Sequence, residues 1–75
     1  MKVLKIKNSN FPLFLEENNI KYDDVFTLCE NTEFIYIELR PELVVSDNLK
    51  MVESELNSYE VMFEECNKNK DYFDI

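Results

Sequence analysis

Three glutamates, Glu53, Glu60 and Glu64, fall inside the stretch NLKMVESELNSYEVMFEEC, which runs from Asn48 to Cys66. Carboxylates are the reactive groups this sequence offers in quantity: sixteen Asp and Glu stand against eight Lys and Arg, with no His. A pair of carboxylates can act as acid and base on a sugar, or present negative charge to a basic partner. The first use needs a pocket that buries the pair, and a 75-residue chain rarely builds one. Without His, the usual general base and metal ligand near neutral pH are missing. Without Gly, the phosphate-cradling loops of nucleotide-binding proteins are missing too. No Ser lies in a nucleophile-elbow context. The expectation is a non-enzymatic protein with no cofactor and no metal, whose acids serve binding.

The element that would position these acids is a helix. Leu49, Val52, Leu56, Tyr59, Phe63 and Cys66 recur at spacings of three and four, which lays one apolar stripe along a helix. The spacing predicts a helix capped by Ser46 or Asp47 and running to about Asn67, with its stripe in the core. At about 100° per residue, Glu53, Glu60 and Glu64 form a ridge beside that stripe. Their axial rises are about 10.5 Å and about 6 Å, the second close to the spacing of phosphates along a nucleic-acid strand. The ridge is therefore expected to fill a basic groove that otherwise holds DNA or RNA. The stripe spans under three heptads, too short to favour a coiled-coil dimer over a core helix.

Ahead of it, KVLKIK alternates Leu4 and Ile6 against Lys5 and Lys7, predicting a first strand with its basic side toward water. NSNFPLFLEENN predicts a short helix, with Ser9 or Asn10 as N-cap, Pro12 in the first turn and Asn18–Asn19 as the stop. DVFTLCENTEFIYIEL predicts a hairpin of Asp24–Glu30 and Glu33–Leu39 around Asn31 and Thr32, closed by two or four residues. Its register is expected to set Phe26 opposite Ile37 and Leu28 opposite Ile35, as the apolar face under the long helix. Val25, Thr27, Phe34 and Tyr36 then lie on an outer face, where Phe34 and Tyr36 are candidate partner anchors unless the short helix or the DYFDI tail covers them. Pro41 ends the third strand, and ELVV leads into the helix. The expected fold over residues 1–75 is a single small two-layer α+β domain. Its order is β-α-β-β-α, with a three-stranded, mainly antiparallel sheet of undetermined strand order.

Charge is unevenly spread along the chain. Residues 1–22 carry a net +2 and residues 23–75 a net −10. Direct nucleic-acid binding is disfavoured, because affinity there rests on Lys and Arg. A basic partner is favoured instead, with attraction at long range; the alternative use of such charge is solubility. Cys29 and Cys66 fit no zinc spacing and are expected as two buried thiols, though a bridge would pin the second strand to the long helix. No apolar run is long enough to span a bilayer and no secretory signal is visible, so a cytoplasmic location is expected. Phe73-Asp74-Ile75 has the form that strand-adding modules accept, a pattern common by chance.

With its acidity, small size and lack of catalytic groups, the chain resembles in style the small inhibitory proteins of bacteriophages and mobile elements. Anti-CRISPR and other anti-defence proteins are among these, and several act as acidic mimics or plugs. The resemblance is one of class and rests on no aligned motif. It implies an inhibitor of a nucleic-acid-processing protein, acting in the host cytoplasm if viral. The alternatives are a self-associating structural or adaptor protein, such as a homodimer, and an antitoxin or immunity protein neutralising a basic toxin.

Overall fold

The computed structural model describes residues 2–40 and 49–68. The ELVV segment, the Ser46/Asp47 cap and the DYFDI tail lie outside the described residues. The α+β class holds, with an antiparallel sheet of four strands rather than the expected three, in the order β2-β3-β1-β4. The strands are β1 (Val3–Lys7), β2 (Val25–Glu30), β3 (Phe34–Leu39) and β4 (Ser54–Leu56). The first strand is thus central. It pairs with β3 through Leu4↔Ile37, Lys5↔Tyr36 and Ile6↔Ile35, and with β4 through Val3↔Leu56 and Leu4↔Glu55.

Helix α1 (Phe11–Glu17) follows a short 3-10 turn and carries Pro12 in its first turn, where the missing N–H is harmless. It stops at Asn18–Asn19, and Asn19 takes φ 59°, a left-handed value that Asn tolerates. The Asn18 amide then clasps the Lys50 backbone at both ends, donating to its carbonyl at 2.9 Å and accepting from its N–H at 2.8 Å.

Asn31 shapes the hairpin. Its Oδ1 accepts from the N–H groups of Glu33 (2.9 Å) and Phe34 (2.7 Å), which replaces the glycine a tighter turn would want. The hairpin forms where expected but not in the expected register. Phe26 lies opposite Glu38 and Thr27 opposite Ile37, and the pairing shifts between Thr27 and Cys29. Leu28 is the extra residue of this bulge, so Leu28 and Cys29 both join the same apolar cluster.

Among the described residues, each sheet face is covered by one helix. Leu4, Ile6, Ile35, Ile37 and Leu39 close around Phe14 of α1. Val3, Phe34 and Tyr36 close around Met62 and Cys66 of α2 (Tyr59–Lys68). The C-terminal helix therefore lies on the Phe34/Tyr36 face, not on the Ile35/Ile37 face assigned to it from the sequence. The aliphatic face is already taken by α1, which is contiguous with β1 in the chain.

The long helix is shorter than its spacing predicts. It starts at Tyr59 rather than near Asn48, and residues 49–58 run irregularly through β4. Met51 has φ 66°, which breaks any helix there, and the Glu53 N–H donates to the Lys5 carbonyl at 2.8 Å to begin pairing with β1. The presumed stripe is divided: Leu49 and Val52 pack on the α1 side and Leu56 on the α2 side. Tyr59 and Phe63, placed in the core by the helical count, are exposed.

Cys29 and Cys66, expected as two thiols, form a disulfide across 37 residues of sequence. In the chain-entropy account, closing a loop of that length stabilises the fold by about 4 kcal/mol. For a domain that buries little area, this is a large share of its stability.

Candidate protein-interaction surface

The fold separates the five residues expected as partner contacts. Phe34 and Tyr36 are buried, Tyr36 completely, because α2 covers the face on which they were expected to stand free. Glu60 and Glu64 sit one turn apart on the exposed side of α2. Glu53 is exposed but precedes β4, so it shares no helical ridge with the other two. The regular phosphate-like spacing across all three is lost, while the negative charge remains at the surface.

Beneath α2 lies a polar network that the sequence does not announce. The Tyr36 hydroxyl donates to Glu65 Oε1 at 2.9 Å, and Lys5 Nζ approaches the same oxygen at 3.0 Å. Lys5 also stands over the Phe34 ring, 4.2 Å from its centroid. Lys5 was assigned to a solvated strand face; it is instead largely covered by α2. The nearby ammonium and the Tyr36 hydroxyl hold the Glu65 carboxyl below its ordinary range, against the opposing effect of desolvation. Burial first, and then the Glu65 carboxylate, push the Tyr36 phenol well above its ordinary value. At the helix end, Asn31 Nδ2 donates to the Cys66 carbonyl at 3.3 Å. The Met62/Cys66 pair, four residues apart with Glu65 adjacent, is the sequence signal that marks this buried side of α2.

The exposed side of α2 carries Tyr59 and Phe63, and β2 carries Phe26, which is 51 % exposed. These three aromatics escaped the sequence reading because both the helical count and the hairpin register placed them inside. The Tyr59 hydroxyl donates to the Glu38 carboxylate at 2.9 and 3.0 Å, which raises the phenol above its ordinary range. Since Glu38 is the cross-strand partner of Phe26, Tyr59 reaches the row of the sheet to which Phe26 belongs.

The balance of paired and unpaired charge is also informative. Lys2 pairs with Glu55 (3.7 Å), Lys5 with Glu65 (3.0 Å), Arg40 with Asp24 (3.1 Å) and Lys50 with Glu17 (3.9 Å). Glu53, Glu60 and Glu64 form no ion pair among the described residues. One concavity, about 510 Å³, is an open depression lined by Pro12, Leu15, Glu16, Asn19, Ile20 and Lys21. A smaller one, about 190 Å³, is lined by Val61, Glu64, Glu65 and Lys68. Among the described residues no group of three or more His, Cys, Asp or Glu could hold a metal ion, and no helix is long and apolar enough to cross a membrane.

The described surface is thus acidic, with exposed aromatics on β2 and α2. Comparison with protein-family models, with curated proteins and with solved structures finds no match, so these features stand on their own geometry.

Proposed function

We propose that this chain is a non-enzymatic binding protein that blocks a basic surface of a nucleic-acid-processing protein, in the manner of phage or mobile-element anti-defence inhibitors. The observation that carries this reading is the excess of unpaired acid at the surface. Among the described residues Lys2, Lys5, Arg40 and Lys50 are paired with the chain's own acids and Lys7, Lys21 and Lys68 are not, while Glu53, Glu60 and Glu64 are exposed acids without an ion pair, as are Glu16, Asp23, Glu30 and Glu33. The chain's net charge of −8 adds long-range attraction for a basic groove and speeds encounter.

The site of action under this reading is the host cytoplasm, where glutathione and thioredoxin keep most thiols reduced. Capture is therefore measured with and without reductant. The protein is immobilised and used to capture partners from host lysate, alongside a Glu53→Lys, Glu60→Lys, Glu64→Lys variant. The expected outcome is a basic nucleic-acid-processing protein that double-stranded DNA competes off and that the variant fails to retain. Because all three positions are exposed, the melting temperature of the variant should be nearly unchanged. Capture that survives both the triple reversal and high salt overturns the reading.

A further inference from the structure

We infer that Phe26, Tyr59 and Phe63 form one composite docking surface, assembled from β2 and α2, that takes a segment of the partner bearing an apolar side chain flanked by Lys or Arg. This deepens the proposed function and rests on it, since it names the chemistry the partner presents.

The argument begins with placement. Phe26 and Cys29 lie on β2, Tyr59 and Cys66 lie on α2, and two links join the elements. One is the Cys29–Cys66 bridge, and the other runs from the Tyr59 hydroxyl through Glu38 to the Phe26 position. Helix and strand are thereby aligned in the same direction, with Phe26 and Tyr59 at one end and the two cysteines at the other. Phe63 lies between Tyr59 and Cys66, one turn from Tyr59 and on its side of the helix. The opposite flank of α2 is taken by Glu65, which reaches Lys5 and Tyr36 over the middle of the sheet. That leaves Tyr59 and Phe63 over the β2 side, on the sheet face Phe26 shares.

Solvent exposure of all three is substantial: Phe26 51 %, Tyr59 41 % and Phe63 46 %. Exposed aromatic rings on one face are the usual anchors of an interface. Charge selects the occupant. Glu38 borders the rings, and Glu60 and Glu64 continue the helix face beyond Phe63. Arg40, the described cation at that end of β3, is neutralised by Asp24. An apolar anchor flanked by cations meets complementary charge here, and cations can also stack on the rings. A second copy of this chain brings like charge to the same rim. The bulge at Leu28 interrupts the β2 ladder, which favours side-chain docking over the addition of another strand.

Three synthetic 12-residue peptides serve as probes: one of alternating Leu and Arg, one of Leu and Glu, and one of Ser and Arg. Binding is followed by amide chemical shifts of the oxidised protein. The Leu/Arg peptide should bind, with shifts concentrated at Phe26, Tyr59 and Phe63. Its affinity should fall at least tenfold in Phe63→Ser and in Phe26→Ser, whose melting temperatures stay close to that of the parent because both side chains are exposed. The Ser/Arg peptide should bind weakly and respond only to reversal of Glu60 and Glu64. Equal affinity for the Leu/Arg and Leu/Glu peptides, or indifference of the Leu/Arg peptide to both Phe substitutions, overturns the docking surface. So does concentration-dependent dimerisation that Phe63→Ser abolishes, since the rings are then occupied by a second copy. If Glu reversal alone releases the partner while the Phe variants keep it, the docking surface fails and the proposed function stands.

Discussion

On the α1 side of the sheet, Leu4, Ile6, Ile35, Ile37 and Leu39 form an apolar layer around a fully buried Phe14. On the α2 side, Val3, Phe34 and Tyr36 meet a helix that fully buries two side chains, Met62 and Cys66. Leu28 and Leu56 pack on the same cluster, and a disulfide, an ion pair, a phenolic hydrogen bond and the Asn31 amide join it. One side is held by area removed from water, whose contribution is proportional and non-directional. The other also buries Tyr36, Val3 and Met62 fully, and adds a few directional links that fix an orientation. A helix whose position matters to a partner, but which leaves Tyr59 and Phe63 in water, is suited to the second method of attachment.

The largest effect is expected where area does the work. Phe14→Ala should cost about 3–5 kcal/mol, the usual range for an aromatic removed from a packed core. A chain of this length has roughly 4–11 kcal/mol in total, at about 0.05–0.15 kcal/mol per residue, so urea titration should show a large fall in the unfolding midpoint. Retention of the parent midpoint contradicts the assignment of Phe14 to the main core.

Next comes the bridge. Reduction, or Cys29→Ser with Cys66→Ser, should lower stability by up to about 4 kcal/mol in the entropic account. The informative measurement is hydrogen exchange: amides of α2 should lose protection before those of β1 and β3. Uniform loss across the whole sheet means that α2 is not a separable layer.

The smallest effect belongs to the ion pair. Glu65→Gln is expected to cost about 1 kcal/mol near neutral pH, because the network is partly open to water. Its sign with pH is definite. The Glu65 carboxyl is held below its unfolded value, so its contribution is complete above that value, about 4.3, and fades as pH falls through the lower folded value. The melting temperature of the parent should therefore drop more steeply than that of Glu65→Gln on acidification. Parallel curves break the proposed link to Lys5 and Tyr36.

Legibility of the sequence divides along the same lines. Strand β1, the short helix with Pro12 and the hairpin around Asn31 are all visible in local pattern, because each is decided by residues close in the chain. In residues 49–58, Leu49, Val52 and Leu56 satisfy a helical repeat that distant groups overrule. The Asn18 clasp on Lys50, the left-handed Met51 and the Glu53 bond to Lys5 turn this stretch into an approach to β4. The hairpin pairs in a different register throughout, and the extra residue at Leu28 turns Phe26 to the Glu38 face, where it is exposed. Of the candidate site, the exposed acids Glu53, Glu60 and Glu64 were legible as charge. The exposed aromatics were not, since they depend on the bulge and on which sheet face α2 selects.

The disulfide has a further consequence when the chain is drawn by its covalent connections alone. Cys29 to Cys66 is a closed ring, and β3 and β4 both belong to it. The strand that lies between them, β1, belongs to the open arm that precedes the ring. The sheet is thus a ring with a gap of one strand's width, filled by an arm carrying its own helix. Val3, Leu4 and Ile6 fill that gap by packing and backbone pairing, so the N-terminal arm acts as an internal ligand of the ring.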